Sequence, residues 1–437
     1  MSRLALGLDL GSSGLRLALV EEASGQLLHE EASTYPAPFE DPEGWRCGAI
    51  SLISRLPAQQ RQRIAALAVD GTSGTLLLCR SDGTLLPGDL ARALPYHRAC
   101  PRQALAAAAL AEHSRSPAAS ASGSLARALE LIQRARVLPA DPGASPLATL
   151  IVRHQADWLM GWLLGDWRWG EEGNNLRLGW DLDHGRWDGA IGRQPWAAAL
   201  PRICPSGQVL GPLSAGAAHR LGLPATALVV AGSTDANAGV LAAEPQEGDG
   251  ITVLGTTLVL KQFVAQPIQG PGVSCHRVDG RWLVGGASNA GAGILCRFFS
   301  DDQITALSRQ LDPERPSGLD LLPLPARGER FPIDDPELEP RLGPRPVSDA
   351  LYLQALLEGL TAIELAGWRQ LRALGAPALR RVISLGGGAR NPQWRRLRQR
   401  ALGVPVLNRP GLSAALGMAR LAARSRARMD TSPSPAG

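Results

Sequence analysis

The chain has 437 residues, of which 45% are hydrophobic, and it carries a formal net charge of +5. This length allows about two or three domains, and the apolar content is ample for buried cores. Its basic side chains are almost all arginine, and no dense basic stripe with interleaved aromatic residues is present, which argues against nucleic-acid binding. The mild positive excess suits anionic ligands such as nucleotides.

The six cysteines are widely scattered, with no C-x-x-C pair and no His/Cys cluster at zinc spacing, so a structural zinc site is not predicted. Free thiols are typical of a reducing cytoplasm. The sequence contains no run of about 18 apolar residues, so no membrane-spanning helix is predicted. Strand-like sequence begins at Arg3 or Leu4, which argues against a cleavable targeting segment. We therefore predict a cytoplasmic protein that does not bind membranes.

The first predicted element is a β-hairpin in "LALGLDLGSSGLRLALV" (4–20), whose turn is Gly11, Ser12, Ser13 and Gly14. Small residues let backbone N–H groups approach a ligand closely and cradle phosphate oxygens. Asp9 beside such a turn would repel a phosphate unless a cation lies between them, and Mg²⁺ suits its oxygen ligands. The alternative is a tight hairpin in which Asp9 only caps the turn.

The segment "RIAALAVDG" (63–71) predicts a second buried strand that ends in an aspartate and a glycine. The small hydroxyl residues of "DGTSGT" (70–75) follow it, and Ser73 could donate to a sugar hydroxyl or simply belong to a turn. His97 in "YHRAC" (96–100) is alone, which is typical of a structural histidine. Helical spacing of apolar residues predicts helices over 125–138 and 155–165.

A second carboxylate, Asp235, follows a buried strand in "ATALVVAGSTDANAGVLAA" (225–243). It falls in the first turn of a predicted helix, where the helix end favours the charged form. One interpretation is a base that accepts a proton from, and orients, an attacking hydroxyl in phosphoryl transfer. The other is an ordinary aspartate of a first helical turn.

The polar segment "EPQEGDG" (244–250) is the best candidate for a domain boundary. After it, "ITVLGTTLVLKQF" (251–263) repeats the pattern of the opening hairpin, as a duplicated fold would. We predict an N-terminal domain over 1–243, a C-terminal domain over 244–424 and a disordered polar tail over 425–437.

A glycine-rich loop in "GGGARNPQW" (386–394) precedes a predicted helix whose N-cap is Asn391 and whose first residue is Pro392. Anionic or nucleotide groups bind well at such a helix start, although a tight strand-to-helix crossing would have the same pattern. Trp394, one turn into this basic helix, could cover an adenine face. Neither G-x-G-x-x-G nor a P-loop is present, so a dinucleotide enzyme is disfavoured.

Together these motifs resemble the FGGY family of carbohydrate kinases, from about residue 4 to residue 423. Within that family, "VDGTSGTLLLC", "GGASNAGAGILCRFF" and "SGLDLLPLPARGERFPI" look most like the D-ribulose kinases of cyanobacteria and plants. The runs typical of xylulokinases and glycerol kinases are missing. The resemblance implies an α/β fold with two ribonuclease-H-like, actin-like ATPase domains and a cleft between them.

The resemblance also implies site residues. Asp9 would hold magnesium, and Asp235 would be the general base. The sugar and the transferring phosphate would be lined by Asp9, Ser12, Ser13, Gly14, Arg16, Ser73 and Asp235, and the nucleotide by Gly255, Thr256, Gly387, Gly388, Asn391 and Trp394. Three positions depart from the family pattern: Ser12 replaces a threonine, His97 stands in a different sugar-side run, and Ser413 replaces a glutamate.

The implied reaction is ATP-dependent phosphorylation of D-ribulose to D-ribulose 5-phosphate with Mg²⁺. Two alternatives stay open: a kinase for another ketose or polyol such as D-xylulose or glycerol, or an actin-like ATPase or sugar-binding protein without sugar turnover. The expected partners are a small sugar and ATP, with no nucleic acid or membrane, in a monomer or homodimer.

Overall fold

A computed structural model describes residues 2–111, 116–136 and 149–431. Its contacts divide the chain into two units. One unit takes in the described residues of Met1–Ala242, Arg277–Gly280 and Ser413–Gly437, and the other comprises Ala243–His276 and Arg281–Leu412. The strand 63–71 and the helix 155–165 are found close to their predicted bounds, at Ile64–Gly71 and Gln155–Leu164. Residues 137 and 138 of the predicted helix 125–138 lie outside the described residues.

Up to Ala243 the described part of the chain contains twelve strands and nine helices. The strands are β1 Leu4–Gly11, β2 Gly14–Glu21, β3 Leu27–Ser33, β4 Ile64–Gly71, β5 Leu76–Arg80, β6 Leu150–His154, β7 Trp169–Glu171, β8 Trp180–Asp181, β9 Arg186–Trp187, β10 Arg202–Cys204, β11 Val209–Pro212 and β12 Leu228–Thr234. The helices are α1 Pro42–Ser54, α2 Ala58–Arg61, α3 Ala104–Leu110, α4 Ser124–Ala135, α5 Gln155–Leu164, α6 Glu172–Asn175, α7 Gly189–Gly192, α8 Ala215–Leu221 and α9 Asp235–Ala243.

After Ala243 the described elements continue with a second group of strands and helices. The strands are β13 Asp249–Leu254, β14 Leu258–Val264, β15 Val273–Val278, β16 Arg281–Ala287, β17 Arg381–Leu385 and β18 Val406–Asn408. The helices are α10 Asp301–Ser308, α11 Asp349–Ala373, α12 Pro392–Leu402 and α13 Ala414–Thr431.

Each unit is built on one six-stranded sheet, and the two sheets share a strand pattern. The first sheet has the order β11-β12-β4-β1-β2-β3, and the second has the order β15-β16-β14-β13-β17-β18. In the first, β3, β2 and β1 pair antiparallel, whereas β4 and β12 continue in parallel with β1. In the second, β16, β14 and β13 pair antiparallel, whereas β17 and β18 continue in parallel. The repeated strand order agrees with the hairpin pattern that the sequence repeats at 251–263.

The core of the first unit is close-packed because small residues let a helix lie directly on the sheet. Leu4, Leu6, Leu8 and Leu10 of β1 are fully buried. A Cβ on Gly7 would lie 1.9 Å from the carbonyl oxygen of Ala415 in α13. No side chain fits at that distance, so glycine at position 7 lets α13 lie directly against β1.

Helix α13 differs from the predicted domain organisation. Residues 425–431, which we predicted to be a disordered tail, form its last two turns. The helix belongs to the first unit rather than the second, because its buried face, which includes Met418, Leu421 and Ala422, packs on β1, β4 and β2. These last two turns are mostly exposed and polar, so their composition predicted no helix. Residues 432–437 lie outside the described residues.

Candidate functional site

Three carboxylates lie at or directly after the carboxyl ends of three neighbouring parallel strands of the first sheet. Asp9 pairs with Asp70 across β1 and β4, and Ser233 pairs with Asp70 across β12 and β4. Asp235 begins α9 directly after β12. Because the carboxyl ends of parallel strands meet at one sheet edge, this topology brings the predicted residues Asp9 and Asp235 to the same edge. Asp70, which the motif analysis did not select, lies between them.

Asp9 and Asp70 have different surroundings although they are neighbours. Asp9 is 3% exposed and accepts a hydrogen bond from Arg16 Nη1 at 2.9 Å. Asp70 is 0% exposed, and neither of its oxygens accepts a hydrogen bond from an amide, a hydroxyl or a basic side chain of the described residues. Burial, followed by the charges of Asp9 and Asp235, raises the pKa of Asp70 well above its usual range. The sheet edge therefore gathers carboxyl groups whose closeness and burial oppose the ionisation of Asp70, whereas Arg16 offsets the charge of Asp9.

Such an edge suits Mg²⁺, which is commonly bound through one or two carboxylates together with water and substrate phosphates. Asp9 lies near the end of β1, shortly before the exposed turn residues Ser12 and Ser13, and Asp70 has oxygens without a donor from the described side chains or amides. Within residues 2–111, 116–136 and 149–431, no group of three or more His, Cys, Asp or Glu side chains is arranged as a complete metal site. The residues present therefore fit a magnesium ion that keeps water or substrate ligands.

The turn after β4 is fixed from several sides. Thr72 binds the Gln155 side chain through both its amide (3.1 Å) and its hydroxyl (2.8 Å). Thr75 contacts Thr72 at 2.6 Å and accepts from the Tyr96 amide at 3.1 Å. Ser73, the predicted sugar contact, is half-buried, and its hydroxyl makes no hydrogen bond to a described residue. Its hydroxyl is thus free for a ligand within a rigid turn.

The other predicted residues of the first unit lie on its surface or near the hairpin. Gly14 adopts a φ of +154°, and a Cβ there would lie 2.4 Å from the carbonyl oxygen of Ser33. His97 is exposed, and its ring stands edge-on to that of Tyr96, with centroids 5.2 Å apart. Ser413 accepts from the Leu416 amide at 3.1 Å, so it caps α13. Serine is among the residues preferred at a helix N-cap.

In the second unit, one cavity of about 710 Å³ brings together all six residues that we predicted to contact a nucleotide. The turn after β13 supplies Gly255 and Thr256, and the loop between β17 and α12 supplies Gly387 and Gly388. Asn391 and Trp394 complete the set from the start of α12. The cavity is large enough for a ligand of nucleotide size.

Asn391 is the N-cap of α12, as predicted. Its Oδ1 accepts from the amides of Gln393 (3.0 Å) and Trp394 (3.1 Å), and its Nδ2 donates to Ser308 Oγ at 2.8 Å. The side chain thereby links α12 to α10. Sequence analysis missed α10, whose residues Asp301, Ile304, Thr305 and Ser308 also line the cavity. Its only local signal is the capping box formed by Ser300 and Gln303.

Trp394 lies beneath the glycine loop. The residue is 1% exposed, and a Cβ on Gly388 would come within 2.6 Å of its ring. Its Nε1 donates to Thr361 Oγ1 at 3.1 Å. The indole is therefore part of the core that supports the cavity wall.

A buried carboxylate supports the turn after β13 from outside the cavity. Glu329 is 4% exposed and accepts from the Ser288 hydroxyl and from the amides of Asn289 (2.7 Å) and Arg330 (2.8 Å). The loop that starts at Ser288 then binds the turn after β13, because the amide of Ala292 donates to the Gly255 carbonyl at 2.8 Å. Glu329 thus positions the turn without lining the cavity.

Comparisons with known proteins agree with this architecture. Residues 250–426 match the FGGY family of carbohydrate kinases, C-terminal domain. A stretch of 219 residues is 27% identical to an L-fuculokinase of Salmonella typhi, and this match spans 47% of the present chain and 45% of that relative. These findings support the predicted family.

Solved structures of carbohydrate kinases share the fold. A xyloylose kinase from Brucella ovis matches with a TM-score of 0.79 and 21% identity, over 98% of this chain and 91% of that one. A Plasmodium falciparum glycerol kinase with ADP matches with a TM-score of 0.77 and 14% identity, over 97% and 90% of the two chains. The predicted fold class, α/β with two actin-like domains, is thus confirmed. None of the described helices is long and apolar enough to cross a membrane.

Proposed function

We propose that this chain is an ATP-dependent carbohydrate kinase of the FGGY type, with a ketopentose as the acceptor and D-ribulose as the preferred one. The observation that carries the proposal is the edge of the first sheet, where Asp235 begins a helix beside Asp9 and Asp70. A kinase needs a carboxylate that faces the acceptor hydroxyl, whereas an ATPase or a simple binding protein does not.

In the proposed reaction, the residues of the first unit bind and orient the sugar. The hydroxyl of Ser73 and the guanidinium of Arg16 donate to sugar oxygens, and Ser12, Ser13 and Gly14 contribute turn amides and hydroxyls. Asp235 accepts the proton of the attacking hydroxyl, and its place at the start of α9 favours the ionised form. Because phosphoryl transfer depends mainly on positioning and charge stabilisation, the chief task of Asp235 is to orient the hydroxyl.

The second unit would hold ATP in its cavity. Backbone groups of Gly255 and Thr256 approach the phosphates, and the loop Gly387–Gly388 with the start of α12 takes the adenosine. The glycerol kinase of similar fold was solved with ADP, which supports this use of the cavity. When bound, magnesium would neutralise the phosphate charge, and Asp9 would hold it, with Asp70 as its neighbour.

D-ribulose is proposed because "DGTSGT", "GASNAGAG" and "PLPARGERFPI" resemble the corresponding segments of D-ribulose kinases. A kinase of D-xylulose is the second candidate, since a xyloylose kinase shares the fold. The two sugars differ at one carbon. A site that hydrogen-bonds the D-ribulose hydroxyl at that carbon cannot make the same bond to D-xylulose. A buried polar group of the site is then left unpaired, which costs about 1–3 kcal/mol of binding free energy.

The test measures ADP release over a panel of D-ribulose, D-xylulose, L-ribulose and glycerol at saturating magnesium-ATP. We expect release to depend on added sugar and kcat/KM to be highest for D-ribulose. A higher kcat/KM for D-xylulose or glycerol would reject the D-ribulose assignment and retain the kinase. ADP release that is independent of every sugar and polyol would instead support an actin-like ATPase.

A further inference from the structure

Arg127 is a fully buried arginine in the first unit that binds two chain segments at once. It lies on α4 and is 0% exposed. Its Nε donates to the Gly74 carbonyl at 2.7 Å, and its Nη1 donates to the carbonyls of Tyr96 (3.0 Å) and Arg98 (2.9 Å). One guanidinium therefore joins the turn after β4 to the segment 96–98.

This arrangement carries a high desolvation cost. Within the part of the chain that the structure describes, no carboxylate forms an ion pair with Arg127. Burial, followed by the charge of Arg177, lowers the pKa of its guanidinium to about 10. Buried charges without an ionic partner are rare and destabilising, so a neutral apolar residue at position 127 would be expected if only packing mattered.

The turn is shaped around this side chain. Gly74 adopts a φ of +98°, and a Cβ there would lie 2.6 Å from Nη2 of Arg127, a buried nitrogen without a hydrogen-bond acceptor. Thr72 and Thr75 on either side are bound internally. Ser73 alone keeps a side chain that bonds no described residue, so its position depends on the contacts that hold its neighbours.

We propose that Arg127 is a positioning residue for the sugar: it fixes Ser73 and the segment 96–98 in the geometry in which they contact the acceptor. This inference rests on the proposed function, since it assigns Ser73 to the sugar. Among the described residues, the guanidinium of Arg127 donates hydrogen bonds only to backbone carbonyls. Its removal should therefore weaken sugar binding and leave ATP binding unchanged.

The test compares Arg127→Met and Arg127→Lys with a control, Arg134→Met, on the same helix. Arg134 is a partly exposed residue that pairs with Glu130. For Arg127→Met we expect the KM for sugar to rise roughly ten- to hundredfold, because small misplacements of contact groups have effects of that size, while the KM for ATP changes less than about twofold. Arg127→Lys should fall in between, because one ammonium cannot hold both segments. Arg134→Met should match wild type.

Amide hydrogen exchange on the same variants provides a readout that needs no turnover. In Arg127→Met, exchange should rise in peptides over 71–76 and 94–100 and stay constant over 386–394. Unchanged exchange in both segments would overturn the proposal, and so would faster exchange with an unaltered KM for sugar. If wild type shows no sugar-dependent ADP release, the proposed function fails, whereas the exchange data still decide whether Arg127 fixes the two segments. If Arg127→Met does not fold, Arg127→Lys decides by the same two measurements.

Discussion

Asp70 lies directly beside Asp9, as its partner in the parallel pairing of β4 with β1, and is more completely buried than Asp9. Arg16 donates to Asp9 but to neither oxygen of Asp70. The folded chain therefore keeps a carboxyl group in an environment that opposes its ionisation. Groups held at such a cost are concentrated at functional sites.

Replacing Asp70 with asparagine should stabilise the first unit and impair turnover. The amide keeps the shape, carries no charge and can donate to Asp9, so the free energy of unfolding should rise by about 1–3 kcal/mol. Sugar-dependent turnover should fall, because the edge loses a carboxylate beside Asp9. Thermal unfolding and ADP release measure the two effects. A lower melting temperature would contradict the proposed cost of burying Asp70.

Asp235→Asn should lower kcat for sugar phosphorylation by about 10²–10⁴-fold, because the amide retains the geometry but cannot accept the proton. Sugar binding, measured by calorimetry, should change little. Asp89→Asn is a matched control, since Asp89 is exposed in a short turn of the same unit. Turnover like that of wild type in Asp235→Asn would remove Asp235 from its proposed role.

Glu329→Gln should raise the KM for ATP more than the KM for sugar. Glutamine can accept through only one oxygen, whereas Glu329 uses both to hold Ser288, Asn289 and Arg330. The loop behind Gly255 should then loosen, with a loss of about 1–3 kcal/mol. Glu337→Gln, an exposed substitution in the same segment, should behave as wild type. An effect on the sugar KM alone would contradict this role.

The sequence was sufficient to predict the two hairpins, the strands at whose ends Asp9 and Asp235 lie, and the glycine loop before α12. All of these have local signals: an apolar run, a small-residue turn, an N-cap. The role of Asp70 depends on which strand lies next to β4, and that of Arg127 depends on two loops meeting at one helix. Both are long-range contacts that no local pattern reports. The polar composition of residues 425–431 likewise gave no sign of the last two turns of α13, because packing of the preceding turns on the sheet outweighs local composition.

Trp394→Ala should destabilise the second unit by about 3–5 kcal/mol, the usual cost of removing a buried aromatic side chain, and raise the KM for ATP. The structure gives the reason: the indole is packed beneath Gly388, so the loop loses its support. Trp394→Phe keeps an aromatic ring but loses the fused ring system of the indole and the bond to Thr361, so its effect on both quantities should be smaller than that of Trp394→Ala. Denaturant unfolding and steady-state kinetics measure them. A change in the sugar KM alone would place the nucleotide elsewhere.

The last prediction concerns His276 in β15, whose Nδ1 is buried without a hydrogen-bond partner. Burial, and then the charge of Lys261, lower the pKa of His276 to about 3 from an ordinary value of 6.5. Between these values the unfolded chain binds a proton that the folded chain does not. The contribution of His276 to the free energy of unfolding is therefore fully present above about pH 6.5. It declines as the pH falls toward 3, by up to about 1.4 kcal/mol per pH unit.

Glutamine at position 276 cannot take up that proton, so the variant should lose less stability than wild type between about pH 6.5 and pH 4. We expect the two curves of unfolding free energy against pH to converge on acidification, even if the variant is less stable at neutral pH. His219→Gln is the control, because His219 is exposed on α8 and should leave the slope unchanged. Parallel curves for wild type and His276→Gln would show that His276 is protonated equally in the folded and unfolded chains.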